Sequence, residues 1–258
     1  MKGVFTRVGA IALNTFREAI RNRILYLLLI FAVGMISFAQ VLSMLTVGSE
    51  EKIIKDFGLA TIDVFSVLTA VLLGITLVSR EIEKRTVLTL LAKPIHRAEF
   101  ILGKYVGLVL TLLVNTGFMT IWFFAILAVN GMFDPQLGMA IVLLFLQFLL
   151  ITAIAILFSC LSSPILSCVL TLALYVIGHL LWSLELLEAR LTSETARLLC
   201  RIIYYLLPNF GNFDIKGQVV HGLTIDPGTV GFAFLYFAVY GSAVLFGACA
   251  LFQRKELQ

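Results

Sequence analysis

Residues 80–104 read REIEKRTVLTLLAKPIHRAEFILGK, from Arg80 to Lys104, a dense mix of both charges between two long apolar runs. Six bases, Arg80, Lys84, Arg85, Lys93, Arg97 and Lys104, face three acids, Glu81, Glu83 and Glu99. A plain connector between two membrane helices needs only a few polar residues and a turn. Here Pro94 pushes Lys93 towards extended geometry, which separates a helix-like first part from a second helical start at Ile95. Val87, Leu90 and Leu91 form an apolar strip beside the charges, as docking onto a partner protein requires.

Outward from this segment the chain is apolar. Of its 258 residues 60% are hydrophobic and 13% charged, and the mean hydropathy is +1.05. Several apolar runs exceed the ~18 residues that mark a membrane helix, so the fold class is all-α and polytopic. Six spans are expected, at about 24–47, 59–79, 105–129, 137–161, 165–184 and 229–252. The polar lead-in before Ile24 is too long for a signal peptide. No linker, low-complexity tract or internal repeat divides the chain, so residues 1–258 are expected to form one domain. Cys160, Cys168, Cys200 and Cys249 show no paired spacing and are read as free thiols.

Charge placement sets an expected orientation. Thirteen of the nineteen Lys and Arg residues fall in the N-terminus, the 80–104 segment and the C-terminal tail. That bias puts both termini and the charged segment in the cytoplasm, and the chain in an inner, cytoplasmic membrane as a multi-pass protein. In residues 1–23, Val4, Phe5, Val8, Ile11, Ala12, Phe16, Ala19 and Ile20 recur at helical spacing. Arg7, Asn14, Glu18 and Arg21 share the other face, so this is an amphipathic helix suited to a membrane surface. The interval 185–228 falls outside. Leu187, Leu191, Leu198, Ile202 and Leu206 predict one or two amphipathic helices there, and Tyr204 and Tyr205 suit the headgroup level. Residues 210–222, FGNFDIKGQVVHG, carry no motif.

Glu81, Thr86, Leu90-Leu91, Pro94, Arg97, Glu99 and Gly103-Lys104 together resemble the cytoplasmic coupling segment of ABC-2 type ABC transporter permeases. Many of those proteins have Gly directly before the Thr; here the place is Arg85, which implies a more helical turn. The resemblance implies an N-terminal "elbow" helix touching an ATPase through Arg7, Arg17 and Arg21. It implies an external helical hairpin before the last span, and ATPase coupling through Glu81, Glu83, Lys84, Arg85, Thr86, Leu90, Leu91, Pro94, Arg97 and Glu99. It further implies a bacterial or archaeal source, and a partner ABC ATPase that binds the ATP and Mg, so that this chain holds no cofactor. The other expected partners are a second permease copy or paralogue, forming a dimer, and membrane lipids, with no nucleic acid. The six-span, short-loop form is similar to the permease of nitrous-oxide-reductase copper-site maturation systems as well as to drug-type permeases.

Polar residues inside the spans are few. Asn115 and Gln147 lie near the middle of spans three and four; they either staple helices, at about 0.6 to 2 kcal/mol per interhelical bond, or line a translocation path. Asp63, one turn inside the expected second span, reads as a hydrated end residue or as part of an external gate. His179 reads as a packing residue, and Gly103, Gly107, Gly117, Gly241 and Gly247 as points of close helix approach. No G-x4-G-K-[ST], GxSxG or HExxH occurs, so no catalytic residue and no metal site is expected. With only amides expected at mid-depth, an energy source outside the chain is the first reading. An ATP-independent secondary transporter and a membrane scaffold or assembly factor are the alternatives.

Overall fold

The computed structural model describes residues 2–45, 50–83, 96–188 and 193–254. All regular structure among them is helical: α1 (Lys2–Ile20), α2 (Arg23–Ser43), α3 (Glu50–Glu83), α4 (Arg97–Val129), α5 (Gln136–Leu161), α6 (Pro164–Glu188), α7 (Glu194–Leu206), a 3-10 turn (Phe210–Phe213), α8 (Lys216–Val220) and α9 (Pro227–Arg254). Six of these, α2 to α6 and α9, are long and apolar enough to cross a membrane. The protein is an all-α polytopic membrane protein.

Helix ends follow local chemistry. The Asn22 side chain accepts the Ile24 N–H at 3.0 Å and so caps α2 where the chain turns out of α1. Pro164 opens α6 in the first helical turn, where its missing N–H costs nothing. Gly131 ends α4 in the left-handed region (φ 69°), and the Met132 N–H reaches back to the Leu127 carbonyl at 2.9 Å, the bond pattern that closes a helix on a glycine.

The bundle has two ends. One gathers α1, the start of α4, the α5–α6 corner and the end of α9; the other gathers the α2–α3 and α4–α5 connections and everything between α6 and α9. Helices α3 and α5 form the centre: Ile62, Val71, Leu143, Leu144, Leu150 and Ala155 are fully shielded. Helix α5 is apolar all round, as a helix enclosed by others should be.

The structure adds detail to three expectations. Span two was expected at 59–79, yet α3 begins at Glu50. The charged lead-in is helical because Glu50 and Glu51 suit a helix N-terminus and Lys55 is neutralised by Glu51 (2.6 Å) and Asp134 (3.0 Å). Span three was expected from 105 after a helical start at Ile95, and the helix α4 does start at Arg97, its first turns packed on α1 and α9. The interval 185–228 was expected outside, with one or two amphipathic helices. Its first part is α6's end and the amphipathic α7. Its second part folds into the bundle, burying Phe210, Phe213, Ile215, Val219 and Val220 against α3, α5, α6 and α9.

Candidate functional site

At the end shared by the termini, the base of the charged segment is clasped from two sides. Gly103 and Gly107, one turn apart on α4, let α1 approach: a Cβ at Gly103 would lie 2.7 Å from Ile11 Cβ, and one at Gly107 would lie 2.6 Å from Thr15 Cβ. Across this contact Arg7 makes two 2.8 Å bonds to Glu99, a fork-to-fork pair. Lys104, only 1% exposed, sits 3.6 Å from Glu18 and 5.9 Å from the centre of the Phe100 ring. From the other side, Arg97 donates to the Phe252 and Gln253 carbonyls at 3.3 and 3.0 Å. These are orphan acceptors at the end of α9, where a cation is favoured. Phe100 and Phe252 stack at 5.5 Å beside them.

The named coupling residues therefore divide. Arg97 and Glu99 are built into this clasp. Glu81 and Glu83 stand in the last turns of α3. Lys84, Arg85, Thr86, Leu90, Leu91 and Pro94 lie outside the described residues. On α1, Arg7 is engaged with Glu99, whereas Arg17 and Arg21 are exposed. The face carrying Phe5 and Leu13 is also exposed, as the lipid side of an interfacial helix would be.

The second cluster lies towards the opposite end. Asp63 is 2% exposed, about 20 Å along α3 from its start. Its Oδ2 pairs with Lys216 Nζ at 2.6 Å, and its Oδ1 accepts from Gln147 Nε2 at 2.9 Å. Asp214 stands 3.5 Å from the same ammonium and accepts the Lys216 backbone N–H at 3.1 Å. Burial lowers the Lys216 pKa, but the Asp63 and Asp214 carboxylates outweigh it, so the ammonium is held above the usual lysine range.

This geometry corrects the reading of Asp63 as a hydrated end residue: it is dry and paired. It also corrects the reading that amides alone occupy the interior, since the interval assigned to the exterior sends Lys216 in to meet Asp63. Nothing in FGNFDIKGQVVHG marks that lysine; only its apolar neighbours Phe213, Ile215, Val219 and Val220, at spacings that bury one side, point inward.

From Asp63 a polar seam continues along α3. Ser66 meets Thr116 at 3.1 Å, and Asn115 Nδ2 donates to Thr69 Oγ1 at 3.3 Å. Asn115, Gln147 and Asp63 thus connect α3 to α4 and α5 from within the bundle. The amide oxygens Asn115 Oδ1 and Gln147 Oε1 are buried without a hydrogen-bond partner. His179 stacks on Phe210 at 5.7 Å and meets the Tyr175 carbonyl at 3.2 Å, a packing role. Among the described residues no group of three His, Cys, Asp or Glu could hold a metal.

No curated protein matches the chain. The family described as "ABC-2 family transporter protein" matches residues 9–199, a stretch that holds α1's docking face, five of the six spans and the whole charged segment. The chain belongs to the ABC-2 family of transporter proteins, as a membrane-spanning permease of an ABC transporter.

Proposed function

We propose that the chain is the permease subunit of an ATP-driven exporter, working as a pair of copies or paralogues with two cytoplasmic ATPases. The observation that carries this reading is the way α3 and α4 feed the same charged segment. Two helices of 34 and 33 residues, each about 50 Å long, run from it unbroken to the opposite end. A push on the segment would tilt both helices together. The clasp on α4 supports this, because it gives the lever a fixed heel: Arg7–Glu99 and Arg97 hold α4's first turn to both terminal helices. The basic bias supports a cytoplasmic location for this end and for both termini, and the family resemblance supports a bacterial or archaeal cell. Glu81, Glu83 and the residues to Pro94 make the ATPase contact, with Arg17 and Arg21 of α1 beside them. ATP and Mg belong to the ATPase. The resemblance to the permease of nitrous-oxide-reductase copper-site maturation systems makes metalloenzyme maturation factors one class of cargo to assay.

The test is coexpression with a candidate ABC ATPase, purification, and reconstitution in liposomes. The pair should copurify, and ATPase turnover should change at least several-fold on binding. Glu81→Lys with Glu83→Lys should leave the permease in the membrane and abolish that change. Uphill solute movement by the permease alone, without ATP, would refute the reading.

One observation favours a second reading. A buried, ionisable Asp63–Lys216 pair is the kind of group that ion-coupled carriers use, so an ATP-independent secondary transporter predicts a solute flux that follows an imposed proton or sodium gradient.

A further inference from the structure

Two facts about the seam do not follow from its being a helix staple. It is capped at one end by a piece of chain that is not a span, and it is left short of hydrogen bonds. A buried polar atom without a partner is destabilising, and here two amide oxygens, Asn115 Oδ1 and Gln147 Oε1, meet no protein donor in side chains that are 2% and 0% exposed. Both belong to a line of hydroxyls and amides, Ser66, Thr69, Thr116, Asn115 and Gln147, that water could satisfy in full. What keeps water out is the segment 208–225. Phe210, Phe213, Ile215 and Val219 seal the entrance, and the segment is moored by two polar ties, Lys216 to Asp63 at 2.6 Å and the Asn209 N–H to the Tyr236 hydroxyl at 2.8 Å. Helix α8 ends after five residues, on Gly222 at φ 65°, so the segment has no long helix to anchor it.

We propose that 208–225 is a removable plug over a hydratable polar passage, and that the Lys216–Asp63 ion pair is its latch. Closed, the passage is shut off by the segment, and Asn115 Oδ1 and Gln147 Oε1 meet no protein donor. Open, the segment swings out with Lys216 and Asp214 kept together, and water enters along Ser66, Thr116, Thr69 and Asn115. The two states offset each other: the closed one gains the ion pair and the aromatic seal, and the open one gains hydration of Asn115, Gln147 and Asp63. Asp63 is on α3, the helix that ends in the charged segment, so a tilt of α3 pulls the carboxylate from its ammonium. The inference rests on the orientation proposed above for calling the plug the outer one, but not on ATP.

The experiment is thiol labelling in right-side-out vesicles without nucleotide or ATPase. In a chain with Cys160, Cys168, Cys200 and Cys249 replaced, Ser66→Cys reports the passage and Leu73→Cys, buried near the other end, reports general loosening. A membrane-impermeant methanethiosulfonate is added outside. Two variants open the plug by different means. Lys216→Ala removes the latch. Gly178→Val keeps it but drives a side chain into Phe210 and the Pro208 carbonyl, which already touch the bare Gly178 backbone. Labelling of Ser66→Cys should be at least tenfold faster in both variants than in the parent, with Leu73→Cys unreactive throughout. Acceleration in neither variant, in only one of the two when both reach the membrane folded, or equally at both reporters overturns the plug. Lys216→Ala and Gly178→Val act through unrelated contacts, so misfolding of one leaves the other to decide. A negative result here leaves the ATP-driven reading standing, and failure of that reading leaves this result unaffected.

Discussion

Asp63 and Lys216 are 153 positions apart, and their pairing sets what each can tolerate. Removing one member of a buried pair strands the other charge, at a typical cost of about 3–5 kcal/mol, whereas replacing both with apolar groups is often near neutral. Asp63→Ala should therefore lower thermal stability in detergent more than Asp63→Leu with Lys216→Met does, and the non-additivity is the signature of the pair. Asp134 offers a pH test. Burial raises its pKa, but the Lys55 hydrogen bond and the Gln136 N–H more than reverse this, so the folded value lies below the usual carboxylate range. Its contribution to stability is then full above the ordinary aspartate pKa of about 3.9 and fades as pH falls through the lowered one. Unfolding midpoints measured from pH 6 downwards should fall in the parent and fall less steeply in Asp134→Asn.

The glycine pair of α4 works at the scale of elements. Gly103 faces Ile11 and the Val8 carbonyl of α1, and Gly107 faces Thr15 and the Ala12 carbonyl. Gly107→Val should overpack the contact by about 1–3 kcal/mol and release α1, seen as faster proteolysis near Arg17 and Arg21. Gly117, with open space around it, should accept Ala with little change. Hydropathy alone makes the six spans legible, because each carries a run too long and apolar for anything else. It does not locate the start of α3: residues 50–58 hold five charges, of which the buried one, Lys55, is paired by Glu51 and by Asp134 from another connection. The glycines are legible as points of close approach, but not the identity of the helix that comes close. That helix is α1, which sequence reading assigns to the membrane surface. The plug is illegible for the same physical reason. A lysine among apolar residues reads as exterior until a carboxylate far along the chain is shown to meet it.

For the whole molecule, the bundle has its heel and its plug at opposite ends, joined by α3. Stiffness of that helix is then a functional quantity. A helix-breaking Pro at Val71, fully buried and between the two, removes a hydrogen bond and costs ~3 kcal/mol or more. Paired Gly substitutions at Ala70 and Val71 are gentler, at roughly 1 kcal/mol each. They should leave ATPase binding intact while reducing its effect on transport, measured as the ratio of solute moved to ATP hydrolysed in liposomes.

The seat of α1 on Gly103 and Gly107 also orders the protein's birth. Helix α1 is made before α4, so it cannot settle until residue 107 has followed it, two spans later, and until then its apolar face has only lipid to lie against. Nascent chains stalled before α4 should leave that helix open to protease, and chains stalled after it should not.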